Sequence, residues 1–271
     1  NGELRTALLF EQFTPLAAPA DRVALNTTAV DLGLGTGGVD FVIHVFGKPH
    51  SPEQKQGHIM KLRYTPLQVP VLAVEEEDSP YHEVLQSKDD LGGMPVVIAA
   101  LHSQLAPAAA ALRLALGKQA NIVYVMTDGA ALPLSFSTSV RRLVELGILD
   151  KTVTVGHAFG GDVEAVTVFS GLVAAGWGLE AAAAVGAMGP GVVGTGTPFG
   201  TTAVEVGQHA DAVSILGGRA VVAPRISFSD RRPRHRGISH HTLTAFGRVA
   251  QCRCTFVVPR MTDEQRTLVM A

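Results

Sequence analysis

From residue 67 onward the chain alternates two kinds of segment. MPVVIAAL, NIVYVMT, KTVTVGHA, EAAAAVGAM and RAVVAPRIS are apolar runs, too continuous for a sheet with one face in water. Between and around them lie stretches of helical length: QLAPAAAALRLALG, STSVRRLVELGI, DVEAVTVFSGLVAAGWG and TTAVEVGQHADAVSILGG. Fully apolar strands alternating with helices predict an α/β fold, a Rossmann-like, mostly parallel sheet with helices on both faces. Right-handed crossovers then bring every strand C-terminus to one edge. CTFVVP is the expected last strand at the sheet edge.

The N-terminal pattern is different. ELRTALLF, DRVALNTTA and VDFVIHVFG read as short strands separated by the turns TPLAAPA and DLGLGTGG, which predicts a small β-barrel-like domain over residues 1–50. Residues 51–66, in and after the polar stretch GKPHSPEQKQGH, are the expected linker, and residues 67–271 the α/β domain. PLQVPVLAVEEE is read as a strand that leads into a helical turn at Ser79-Pro80. Asn1-Gly2 is a favoured hairpin turn with one flanking strand in view, so a preceding strand is expected.

Composition narrows this picture. The 271 residues are 46% hydrophobic and only 6% aromatic, with 29 glycines, which suits an Ala/Val/Gly-rich α/β protein rather than an all-β sandwich. A formal charge of -2 gives no global field for nucleic acid, so the arginine run near residue 231 is a local feature. The low-charge stretch from Val166 to Gly200 is interrupted by Gly171, Gly176, Gly178, Glu180, Gly186 and Pro190, and reads as buried helix plus strand rather than a membrane span. Cys252 and Cys254 would point to one face of a strand, a poor arrangement for bonding to each other. A reduced, cytoplasmic setting follows.

Ligands of open α/β sheets bind beyond the strand C-termini, so the residues after each apolar run are the candidates. They are His102 and Ser103; Thr127, Asp128 and Gly129; Gly156, His157 and Asp162; the loop Gly189–Gly200; and Arg225, Ser227, Ser229 and Asp230 with the run SDRRPRHRGISHHT. GPGVVGTGTPFG satisfies G-x-G-x-x-G at Gly189, Gly191 and Gly194, between a strand and a helix where backbone N–H groups converge on an anion. The loop is longer than a dinucleotide turn, and the next strand ends on Arg225 rather than an acid. NAD is thereby disfavoured, and NADP is the runner-up. Backbone and hydroxyls of Gly189, Gly191, Gly194, Thr195, Gly196 and Thr197, with Arg225, Arg232, Arg234, His240 and His241, are the expected anion-binding set. His157 with Asp128 or Asp162 is the preferred proton-moving pair, with His102 beside them. A divalent metal would require these histidines and acids to meet, and no HxH or HExxH spacing supports one, so no metal ligand is assigned. A serine hydrolase is rejected because G-x-S-x-G is absent.

LGGMPVVIAALHS, VYVMTDGAALPLSFS, VGHAFGGD, MGPGVVGTGTPFG and PRISFSDRRPRHRGISHHTLTAFGR resemble the hallmark blocks of a bacterial protein family catalogued only as a domain of unknown function. DRVALNTTAVDLGLGTGG and GHIMKLRYTPLQVPVLAVEE resemble it too, so the similarity spans nearly the whole chain. The resemblance implies a bacterial protein and supplies no residue roles.

The expected function is transfer or hydrolysis on a phosphorylated or nucleotide-like small molecule at the strand ends. The alternatives are an NADP-type oxidoreductase and a non-enzymatic ligand-sensing or nucleic-acid-binding module. The cofactor, NADP or a divalent metal, stays open. Binding of nucleic acid or membrane is not expected. A homodimer is expected only on the general preference of soluble chains for two-fold pairing.

Overall fold

The computed structural model describes residues 4–34, 37–50 and 57–270. The expected Asn1-Gly2 turn and residues 51–56 of the expected linker lie outside them. The chain divides into two compact units, residues 1–56 with 62–70, and residues 57–61 with 71–271.

In the first unit β1 (Ala7–Leu8), β2 (Val23–Asn26) and β3 (Asp40–Val45) form a sheet of order β1-β3-β2, with β1 parallel and β2 antiparallel to β3. Helix α1 (Thr28–Asp31) follows β2. Arg5 joins these pieces, donating from Nε to Asp40 at 2.7 Å and from Nη2 to Asp31 at 2.6 Å.

The second unit contains helix α2 (His82–Ser87) and is built on a sheet of seven strands: β4 (Pro95–Ala99), β5 (Ile122–Thr127), β6 (Lys151–Thr154), β7 (Val163–Glu164), β8 (Ala183–Met188), β9 (Arg219–Ala223) and, last in the chain, Thr255–Phe256. Between the last two lies an antiparallel pair, β10 (Ile226–Ser227) and β11 (Gly237–Ile238), so Thr255–Phe256 is β12. The sheet order is β12-β9-β4-β8-β5-β6-β7, parallel throughout. The Rossmann-like reading of the apolar runs is met, and CTFVVP supplies the edge strand.

The direction of travel decides which face each helix covers. β4 to β5 to β6 runs one way through α3 (Leu105–Leu116) and α4 (Thr138–Glu145); β7 to β8 to β9 runs back through α5 (Val168–Val173) and α6 (Glu205–Ile215). Right-handed crossovers in opposite directions cover opposite faces. Strand alternation follows: Val97 and Ala99 pack with Leu105, Ala109, Val140 and Leu143, whereas Val96 and Ile98 pack with Leu172, Val206, Ala210 and Val213. Full burial of each such Val, Leu or Ile contributes about 1.5–3 kcal/mol. Tyr124 is wholly buried, and its hydroxyl donates to the carbonyls of Ala187 at 3.1 Å and Met188 at 3.2 Å, so no polar group is stranded there.

The periodicity misreads one segment. DVEAVTVF was expected to open a helix, but Val163–Glu164 forms edge strand β7 and the helix starts only at Val168, behind Thr167, whose hydroxyl caps Ser170 N. The cause is Glu164. Its carboxylate accepts from Thr154 Oγ1 at 2.7 Å and Gly160 N at 2.6 Å and lies 3.4 Å from Lys61 Nζ. Lys61, fully buried, also donates to the carbonyls of Ala158 at 3.0 Å and Ala165 at 2.9 Å. A buried ammonium persists only with such partners.

Candidate functional site

Two adjacent strands whose connections leave to opposite faces open a crevice at their C-terminal ends. Here these are β4, followed by α3, and β8, followed by α6. A cavity of about 180 Å³ lies there. Its wall comprises Ala100 and Leu101 after β4, Val192 and Gly194 after β8, and Arg225 after β9, completed by Ala203, Arg232, His235, Ser239, His241 and Thr242.

The arginine-histidine run folds as a compact cap. Its core is the β10–β11 pair, with the turn Pro233–His235 between the strands and helix α7 (His240–Thr244) after them. Asp230 organises it, accepting from Arg225 Nη2 at 2.9 Å, from Arg232 Nη2 at 3.0 Å, and from Arg232 N and Nε at 3.0 and 3.1 Å. Hydrogen bonds from Arg232, then its charge and that of Arg225, hold the Asp230 carboxyl well below the usual carboxylate range. Two guanidiniums thus share one carboxylate, and the cavity wall keeps a net positive charge. Arg234 is exposed and is not on that wall, but its charge reaches His240 and His241.

Three imidazoles meet behind the arginines. One ring nitrogen of each of His235, His240 and His241 lies within 4.8 Å of the others. The ring centroids of His240 and His241 are 4.0 Å apart, and His235 sits 5.1 and 5.2 Å from them. His235 Nδ1 faces Ser239 Oγ at 2.8 Å and Arg225 Nη1 at 3.3 Å. His241 Nε2 faces the carbonyl of Thr195 at 3.2 Å. Burial, reinforced by the neighbouring arginines, lowers all three, with His235 pushed down to about 4. The cluster is therefore neutral at physiological pH.

The glycine loop has a geometry the motif did not foretell. Gly194 and Thr201 form an antiparallel bridge, Thr195 N donates to Gly200 O at 2.8 Å, and Thr202 N donates to Val193 O at 3.0 Å. Thr197 N goes to Thr195 Oγ1, and Thr201 Oγ1 caps Ala203 N. The amides of Thr195 and Thr197 are thus spent within the hairpin. Thr195, Gly196 and Thr197 are exposed at its tip, and Gly189 and Gly191 pack toward Leu132. Gly194 alone of the motif glycines lines the cavity. A Cβ there would collide with the His241 ring, so this glycine permits the close approach of imidazole to backbone.

The expected proton-moving residues gather elsewhere. Asp128, at the end of β5, takes backbone hydrogen bonds from His157 and Ala158, and burial pushes its carboxyl up. Glu205, at the start of α6, accepts from Thr127 Oγ1 at 2.7 Å. Burial and the Asp128 charge push Glu205 up to about 7. Asp128, His157 and Glu205 thus form a second polar cluster, and none of them is on the cavity wall. Glu205 escaped the sequence reading, although it is the single acid in the first turn of an otherwise apolar helix start, TTAVEVG. Asp230 and Ser239 were likewise overlooked as organisers of the arginine run.

Two candidates are occupied structurally. His102 stands 2.7 Å from Ser137 Oγ, the N-cap of α4, and 3.3 Å from Met188 O, bracing the ends of three elements. Asp162 accepts from Thr152 N at 2.8 Å and Thr152 Oγ1 at 2.7 Å, which ties β7 to the start of β6, away from the strand C-termini. The two cysteines are unbonded, as expected, but not for the reason of strand geometry. Cys252 and Cys254 lie in irregular chain rather than a strand, both free, with their sulfurs 3.5 Å apart.

A family model described as "Protein of unknown function (DUF3866)" matches residues 6–271. The chain belongs to the DUF3866 family. That match agrees with the expected resemblance to a family of unknown function. No curated protein and no solved structure matches the chain significantly. Among the described residues of this DUF3866 protein, no helix is long and apolar enough to cross a membrane.

Proposed function

We propose that this DUF3866 protein is an enzyme that binds a small oxyanion-bearing substrate, phosphate or carboxylate, at the crevice between β4 and β8, and transfers or hydrolyses a group on it. The observation that carries this reading is the cavity wall formed by Arg225 and Arg232, both aligned by Asp230, with His235 and His241 beside them. Planar guanidinium forks suit phosphate and carboxylate oxygens, and their pre-alignment spares the reorganisation that weakens charge stabilisation in water. The size favours a small ligand over NADP, because about 180 Å³ is below the roughly 300–1,000 Å³ of pockets that engulf drug-sized molecules. The amides spent in the hairpin support the same preference. A cytoplasmic setting is part of the proposal.

Thermal-shift and calorimetric titration with inorganic phosphate, sugar phosphates, nucleoside monophosphates and NADP tests this reading. A phosphorylated ligand should raise the melting temperature by mass action, and Arg232→Ala should abolish the shift. Stabilisation by none of them, together with salt-sensitive RNA or DNA binding, would replace the enzyme with a nucleic-acid module.

A further inference from the structure

We infer that His235, His240 and His241 form a transition-metal site, of the kind that takes Zn²⁺ or Co²⁺, with its open coordination position facing the cavity. The metal site stands on these residues alone. Its use on a bound anion rests on the reading above.

Four observations support it. The ring nitrogens are gathered within 4.8 Å of one another, in a setting where His235 is 1% exposed and His241 7%. Nε2 of His240 is buried and has no hydrogen-bond partner, an expensive vacancy in a lone-pair or N–H group. The tautomer of His241 follows from its partner: a carbonyl only accepts, so the 3.2 Å contact with Thr195 O is an Nε2–H donation, and the free lone pair is on Nδ1. His235 Nδ1 faces both Ser239 Oγ at 2.8 Å and Arg225 Nη1 at 3.3 Å; its Nε2 becomes a ligand when Nδ1 donates to the serine oxygen in place of accepting from the guanidinium. Metal-bound histidines characteristically donate their second nitrogen to such a carbonyl or hydroxyl oxygen, which orients the ring.

The charges nearby do not forbid a cation. Arg225 and Arg232 are already shared with Asp230. When His235 carries its proton on Nδ1, Arg225 keeps its 2.9 Å bond to Asp230 and gives up the longer 3.3 Å contact with that nitrogen. Three imidazoles leave tetrahedral Zn²⁺ with one position for water or an anion. His235 and His241 both line the cavity, so that position opens beside the two guanidiniums. A substrate oxyanion there would meet metal and arginine together.

The test uses the whole chain, stripped with a chelator and titrated with Co²⁺ alone, read by visible absorption and calorimetry. One equivalent should bind with the d–d bands of a four- or five-coordinate nitrogen site, and Zn²⁺ should displace it. His240→Ala and His241→Ala should each weaken binding more than about 100-fold, because loss of an outer-shell partner alone costs about 10–100-fold. His44→Ala, which removes an exposed histidine of the first unit, should change nothing. His235 is buried and its loss can unfold the cap, so half-buried His240 carries the test, with His240→Gln and circular dichroism as the check on folding. The inference is overturned by failure to bind one equivalent, or by binding that survives in folded His240 and His241 variants. Phosphate titrated in the presence of chelator separates the two proposals. An Arg232→Ala protein that loses phosphate but keeps Co²⁺ supports both, and a wild type that binds Co²⁺ but no anionic ligand overturns the anion reading alone.

Discussion

Replacing Glu205 by Gln should stabilise the protein in neutral and alkaline solution and leave it unchanged in acid. Glu205 is pushed up from the ordinary value of 4.5 to about 7 by burial and by the Asp128 charge, against the hydrogen bond from Thr127. A raised carboxyl favours its protonated form in the fold, so its contribution is fully present below the unfolded value and is lost as pH rises through the folded one. The rise from 4.5 to about 7, at about 1.4 kcal/mol per tenfold change in proton affinity, amounts to about 3 kcal/mol. Glutamine stays neutral throughout, and its carbonyl can still accept from Thr127 Oγ1. Urea unfolding at intervals from about pH 4 to pH 8 should therefore give a variant up to about 3 kcal/mol more stable at the upper end, with the difference vanishing at the lower. Asp128, the other raised acid of the cluster, titrates in both proteins, and because its charge also raises Glu205 the difference reports Glu205 together with that coupling. A difference that does not change with pH, or a variant less stable at about pH 8, would refute the argument.

Lys61→Ala should lower unfolding stability by about 3–5 kcal/mol, because it leaves the Glu164 carboxylate buried without its cation; chemical denaturation measures it. Gly194→Ala should cost about 1–3 kcal/mol from the forced displacement of His241 and should weaken Co²⁺ binding in the same preparation, measured by calorimetry. Cys252, pushed up to about 12 by burial and by its bonds to Cys254 and Asp211, should react with a thiol-disulfide reagent far more slowly than an unfolded control, since only the thiolate attacks. A fast native-state reaction would show that the pair is less shielded than its surroundings indicate.

Elements bound by long-range apolar packing were legible, because burial on both faces leaves an unbroken run such as NIVYVM in the sequence. Residues whose role depends on one tertiary partner were not. Glu164 reads as the opening of a helix until Lys61, about a hundred positions earlier, is placed against it. The glycine motif has the spacing of an anion cradle, yet nothing local announces that Thr195 and Thr202 will spend their amides within the hairpin, or that Gly194 makes room for an imidazole. Arg225, Arg232 and His241 could be nominated from their place after β9, whereas the pairing with Asp230 that aligns the arginines depends on how the cap folds. Residue type located the polar groups of that edge better than spacing foretold their partners.

The two polar clusters at the strand ends are tied by one short turn. Thr202–Val204 opens α6, and within it Ala203 forms cavity wall while Glu205, two residues on, reaches Thr127. The Thr201 hydroxyl caps Ala203 N and also bonds Val193 O of the hairpin, so one side chain ties the hairpin that carries Gly194 to the helix start that carries Glu205. The same turn therefore borders the cavity through Ala203 and leads directly into Glu205. Since the Asp128 charge already raises Glu205, the cluster at β5 has its own reason to hold a proton near neutral pH. Carboxyls with strongly perturbed proton affinity cluster at functional sites, and Glu205 is such a group two residues from the cavity wall at Ala203.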